Sequence, residues 1–333
     1  MDVMLPRALI THASVRASGV TLDGGIPLSM RFAISIPQYA PGGVFDDAAF
    51  RAHLARAEEL GVFEGAWVQE QVIGAAGSLA PLQTLTYAAA CTTRLRLGCA
   101  VFVLPLHNPL HLAKAISSLD CLSHGRVDVG VATGGKWRPF DAFGIDADRP
   151  VARFNEALAL MKACWTESEI DFDGRLWTLH GGSMEPKPVQ KPYPPIWFGG
   201  SAPAGMRRAV RHGDAFMGAG SQTVPQFTEQ VRIVREQLNA QGRDPETFRI
   251  GKRVYLHVDD DAARGARRLE EALTHHYGRG GWSEHILAGP PEACAAGIRR
   301  VADAGAELIL LNPMVDDAEQ LERLSAEVIP ALG

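Results

Sequence analysis

Cysteine is scarce in this sequence and carries no pattern. Cys91, Cys99, Cys121, Cys164 and Cys294 are scattered over 333 residues, odd in number, with no Cys-x-x-Cys spacing. That argues against a disulfide framework or a structural zinc site and points to a reducing, cytoplasmic compartment. His-x-His and His-Glu-x-x-His are both missing, so no metal centre is expected. The Gly-x-Ser-x-Gly elbow of a serine hydrolase is missing too. No apolar run is long enough to span a membrane, and the N-terminus lacks the apolar core of a signal peptide. Nor is there an excess of positive charge. With 33 basic and 38 acidic side chains the net charge is −5, which calls for neither nucleic acid nor an anionic membrane as partner. Arg207-Arg208 and Arg267-Arg268 read as solvated helix faces. A Schiff-base lysine is also wanting. Lys114, Lys136 and Lys187 fall in helix or loop, and Lys252 comes too early in its strand, which disfavours an aldolase.

What the chain does contain is apolar material, 46% of its residues, enough for one large barrel or two ordinary domains. Residues 1–29 mix Gly, Ser, Thr and Pro without a period and read as a peripheral N-terminal extension. From residue 30 to 333 short runs of Val, Ile, Leu and Phe alternate with helical patterns. Strands are predicted at 31–36, 64–69, 95–101, 127–132, 196–198, 214–217, 248–258 and 307–311. Between strands four and five lies an insertion with a hairpin about Asp173-Gly174 and a proline-rich connection, 186–195. Eight such units favour a closed (β/α)8 TIM barrel over an open sheet, and no break in composition divides them. A last helix is expected over 317–332.

One stretch stands out, Pro194 to Asp214. Ile196-Trp197-Phe198 reads as a buried strand, Gly199-Gly200 as a turn, Ser201 as the N-cap of a helix and Pro203 as part of its first turn. Bare amides on a glycine turn at a helix N-terminus can hold a phosphate; an ordinary strand-to-helix turn has the same residues. The working face of a TIM barrel is at the C-terminal ends of its strands. The sequence places there Gln38, Gln69-Glu70-Gln71, Cys99-Ala100-Val101, Thr133-Gly134, Gly199-Gly200-Ser201, 218–222 and Asn312. This set is rich in glycine and amide groups and suggests a bound cofactor that carries the chemistry.

Several stretches occur together. They are Ala66-Trp67-Val68-Gln69-Glu70, Thr93-Arg94-Leu95-Arg96-Leu97-Gly98, Pro105-Leu106-His107-Asn108-Pro109, the run from Leu119 to Arg126, Pro186-Lys187-Pro188 onward, and the glycine turn. In this order the chain resembles the luciferase-like flavin oxidoreductases over roughly residues 30–332. The resemblance implies a TIM barrel, a homodimer, a small-molecule substrate, and either reduced FMN or the deazaflavin coenzyme F420. Monooxygenation with FMN, with a separate flavin reductase as partner, and hydride transfer with F420 both remain open. A non-catalytic flavin-binding protein is the alternative. By the same resemblance Gly199, Gly200 and Ser201 hold the cofactor phosphate side. Ala100-Val101 occupies the place where the family often has a non-prolyl cis peptide, and Thr133 and Gly134 line the pocket.

Two positions depart from relatives. Many members have an acid followed by histidine at the exit of strand two; here Glu70 is followed by Gln71. Many deazaflavin dehydrogenases have a glutamate after Thr-Gly; here it is Gly135. Both weaken a sugar-phosphate dehydrogenase assignment. Glu70 is the leading catalytic residue, orienting the ring or moving a proton; His107, in the loop after strand three, either faces substrate as a further acid–base group or lies at the surface. Gln69 and Gln71 are expected at the cofactor. Trp137 and Phe140 either cover a flat ring or pack their loop. His53, His212, His275, His276 and His285 are expected to be solvated.

Overall fold

The computed structural model describes residues 30–40, 43–74, 76–135, 140–146 and 148–333. The N-terminal extension, together with Lys136 and Trp137, lies outside the described residues. In chain order the elements begin β1 (Arg31–Ser35), α1 (Asp47–Leu60), β2 (Phe63–Val68), α2 (Pro81–Cys91), β3 (Arg96–Val103), α3 (Pro109–Leu122) and β4 (Val127–Ala132). They continue with α4 (Pro150–Thr166), β5 (Ile170–Asp173), β6 (Thr178–Gly182), β7 (Ile196–Gly199), α5 (Pro203–His212), β8 (Ala215–Gly218) and α6 (Val224–Ala240). The last are β9 (Arg249–Val258), α7 (Ala262–Tyr277), β10 (Ile286–Gly289), α8 (Pro291–Asp303), β11 (Leu308–Pro313) and α9 (Asp317–Arg323).

Strands β1, β2, β3, β4, β7, β8, β9 and β11 pair in that order, and β11 pairs back onto β1. All these pairings are parallel. The chain is a closed (β/α)8 barrel, as expected, because each strand is buried on both faces and each crossover is a helix. The hairpin β5–β6 is the insertion between the fourth and fifth barrel strands. β9 is the longest strand. Its first half pairs with β8 and its last residues, from Tyr255 to Val258, pair with β10. The sequence reading had no strand at β10, because four residues ending in glycine give too little pattern to see.

Alternation divides the strands into two cores. Outward residues pack under the helices. Inward residues Ala33, Trp67, Trp197, Ala215, Met217, Leu308 and Leu310 fill the lower barrel. Trp67 meets Trp197 edge to face at 5.5 Å, and a side chain on Gly98 would collide with the Trp67 ring. Large and small residues are thus matched across the interior. The Trp197 indole N–H donates to buried Asp128, which also accepts from Arg96.

Several local expectations need correction. Ser201 does not cap α5: the N-cap is Ala202, without a side-chain bond, and Pro203 opens the helix. The last helix is not continuous; α9 gives way to a π turn at Leu324–Val328 and a 3-10 turn at Pro330–Leu332. His53 and His276 are buried rather than solvated, because α1 and the end of α7 pack inward there. Burial lowers the His53 imidazole to about 4, so it is neutral.

Candidate active site

β3 carries the feature that shapes the barrel mouth. The peptide between Ala100 and Val101 is cis, and the β3–β4 register shifts between Cys99 and Phe102. Neighbouring strands make room for this bulge. A Cβ on Gly130 of β4 would collide with the Cys99 carbonyl oxygen, and one on Gly199 of β7 would stand 2.9 Å from Val101. Gly130 was not singled out from sequence, although its inward position in the run Val127 to Ala132 was the available signal. Thr133 and Gly134 follow β4 directly, and Ala132 lies against Gly199. Val101, Ala132 and Gly199 are therefore in contact, with Ala100, Thr133 and Gly134 adjacent along the chain.

The glycine turn adjoins that group. Gly200 has φ +154°, a conformation that favours glycine, and a Cβ there would meet no protein atom within 4 Å. Residues 201–204 are exposed at the start of α5. An open turn with free space at a helix N-terminus is a fitting place for a phosphate. Gly199 is close-packed; Gly200 is open. A substitution at 200 therefore acts through backbone conformation rather than by crowding protein.

Glu70 and His107 are brought together. The Glu70 side chain is 1% exposed; its Oε1 lies 2.7 Å from His107 Nε2, and its Oε2 accepts the Val103 amide at 2.6 Å. The His107 side chain is 23% exposed, and its ring meets Phe102 edge-on. A carboxylate only accepts hydrogen bonds, so with Glu70 in that form the pair would set the proton on Nε2 and leave Nδ1 as the lone-pair nitrogen. Glu70 is enclosed, and both of its carboxylate oxygens are engaged, one by the Val103 amide and one by His107.

Gln69 and Gln71 are both engaged by protein groups at the mouth. Gln69 Nε2 donates to Asn312 at 2.7 Å, its backbone is bracketed by Gln38, and its Oε1 accepts from Tyr277 at 3.2 Å. Gln71 donates to the His276 carbonyl at 3.2 Å. Both glutamines hold the C-terminal end of α7 across the mouth. There Tyr277 also bonds the Tyr255 hydroxyl, and Trp282 packs on both rings. Tyr39, Arg253, Tyr255 and Tyr277 were missed from sequence, since nothing local links the exit of β1, β9 and the end of α7. Phe140 is buried, a packing residue of its loop. Among the described residues no group of His, Cys, Asp and Glu has the arrangement of a metal site.

The family model for luciferase-like monooxygenases matches residues 30–308. The chain belongs to that family. The match takes in every residue of the mouth discussed above except those at the end of β11. An F420-dependent glucose-6-phosphate dehydrogenase of Kineococcus radiotolerans is 28% identical over 345 residues, covering 92% of this chain and 98% of that one. The crystal structure of monooxygenase RslO1 from Streptomyces bottropensis has a TM-score of 0.78 at 23% identity, covering 91% of this chain and all of that one. A riboflavin lyase, RcaE, crystallised with modified FMN and riboflavin, has a TM-score of 0.76 at 18% identity, with 91% of each chain covered. At such identities the two structures bear on the fold alone.

Proposed function

We propose that this protein is an oxidoreductase that binds reduced FMN or coenzyme F420 in the barrel mouth and uses His107, oriented by Glu70, to hold or move a proton. The observation that carries the reading is the bulge at Ala100-Val101 with the open glycine turn beside it. Gly130 and Gly199 clear space behind the Ala100-Val101 bulge, and the open Gly200 turn adjoins it. The family match and the F420-dependent relative support a flavin or deazaflavin in that place. When bound, such a cofactor supplies hydride, or electrons for oxygen.

The residues present fit that group. Val101 and Ala100 offer a half-buried apolar surface, and Thr133 and Gly134 flank it. The turn at Gly199, Gly200 and Ser201 would take the phosphate side. His107 Nδ1 is the position for the proton, and the Glu70 carboxylate stabilises the charged ring when His107 carries both protons. Use of FMN with oxygen would need a separate flavin reductase; hydride transfer with F420 would not. The protein would act on a small organic molecule, as a homodimer.

Glu70→Gln and His107→Gln test the dyad. The glutamine amide at 70 would donate to Nε2 and force the wrong tautomer, while its oxygen could still accept from Val103. We expect both variants to lower turnover of the reduced cofactor by roughly 10²-fold, the usual size for a lost acid–base group. Affinity for oxidised cofactor should be unchanged. Wild-type turnover in both variants would remove the dyad from the mechanism.

A further inference from the structure

Arg253 is the odd residue of the barrel interior. It sits two positions before Tyr255 on β9 and is buried, above the apolar layer formed by Trp67, Trp197 and Met217. Among the described residues it makes no ion pair. Nη1 donates to the Ala100 carbonyl at 3.3 Å, and Nε has no partner. The guanidinium lies over the Tyr255 ring, 5.1 Å from its centroid. The hydroxyls of Tyr39, Tyr255 and Tyr277 are its polar surroundings, that of Tyr277 close enough to bond it. The Tyr39 hydroxyl is buried and has no partner among the described residues. Burial pushes the Tyr39 and Tyr255 phenols well above their ordinary value, so neither is a phenolate that could neutralise the arginine.

A buried cation without a counter-charge is costly, and buried polar atoms ordinarily have partners. Here an arginine and an orphaned hydroxyl share one region at the floor of the mouth, beside the Ala100-Val101 bulge. Both present donors, and planar guanidinium donors match an oxyanion. We propose that Arg253 and Tyr39 form an oxyanion site in the barrel mouth that takes the carboxylate, sulfonate or phosphate of an anionic substrate. The proposal rests on reading the mouth as the active site and names the substrate class for it. It is distinct from the turn at Gly200, which lies on the β7 side.

The test uses the full chain without cofactor and sulfate as the probe. Binding is followed by intrinsic fluorescence, which Trp282 and Tyr255 beside the site should report, against chloride at constant ionic strength. We expect saturable sulfate binding. Arg253→Gln should weaken it at least 10-fold, Arg253→Lys less, and Tyr39→Phe several-fold. Tyr39→Phe removes a hydroxyl that bonds nothing among the described residues, so it keeps the test alive should Arg253→Gln not fold. No sulfate binding, or binding indifferent to both substitutions, overturns the proposal; sulfate held only at the Gly200 turn would give the second result. Oxidised and reduced cofactor are titrated in parallel. If Arg253→Gln weakens only the reduced cofactor and leaves sulfate alone, the cation serves the anionic ring, and the substrate site is refuted. If wild type binds sulfate through Arg253 but neither cofactor, the oxyanion site stands and the cofactor reading falls.

Discussion

Single residues decide whether the mouth exists. Gly130 gives way to the Cys99 carbonyl, so Gly130→Ala must push β3 and β4 apart or undo the bulge. Overpacking of this kind costs about 1–3 kcal/mol, and backbone cannot yield as a flexible side chain does. We expect a fall in thermal midpoint with loss of cofactor binding, while Gly205→Ala on α5, where a Cβ meets nothing within 4 Å, should leave both near wild type. Unchanged melting of Gly130→Ala would mean that the bulge tolerates a side chain there. Glu70 teaches a related lesson. Its residue type and place at the β2 exit were legible in sequence, but its role was not. Enclosure and two N–H donors make it the partner of a histidine 37 positions away, and that pairing exists only once β2 and β3 lie side by side.

Elements were legible to the extent that pattern was local. Asp46 caps α1 and Gly61 ends it in the left-handed conformation, as the sequence implies. The run from Leu119 to Arg126 is explained by packing. Buried Arg126 donates to the carbonyls of Ala89, Thr92, Leu95 and Ser123, tying α2, α3 and the start of β3 together. Asp120 likewise accepts the Gln190 amide and side chain, docking the proline-rich connection on α3. These stretches mark the family because they build the barrel, not because they touch a ligand. Lys252 was rightly set aside as a Schiff-base lysine. It faces outward on β9, and its Nζ donates to the Arg253 and Ala219 carbonyls, joining β9 to the loop after β8. Burial lowers it to about 7 from an ordinary value of 10.5. Between those values the unfolded chain holds a proton that the folded one lacks. Stability should therefore rise with pH across that window and fall as pH drops toward 7. The gain is on the order of 2–4 kcal/mol. Denaturant unfolding from pH 7 to 10 should show a steeper rise for wild type than for Lys252→Met. Equal slopes would contradict a buried, neutralised lysine.

At the scale of the molecule, the barrel and its family were readable because eight apolar runs and their connections repeat one local grammar. The tyrosine and arginine cluster was not, since its members come from β1's exit, β9 and the end of α7. Residues 1–29 precede both β1 and the family match, which begin at 31 and 30. We propose that residues 30–333 are a self-sufficient domain. A chain starting at Met30 should fold and bind cofactor as the whole protein does; insoluble or cofactor-blind protein would assign the extension a structural part. The cofactor claim is the centre of the account. It is tested most directly by titrating the purified full chain with FMN and with F420, each oxidised and reduced, by fluorescence and calorimetry. The account predicts saturable binding of one of them with a stoichiometry of one per chain, tighter than riboflavin or the phosphate-free deazaflavin, and weakened by Gly199→Val. No binding of either cofactor in any redox state, or binding that ignores both the phosphate and Gly199, would contradict it.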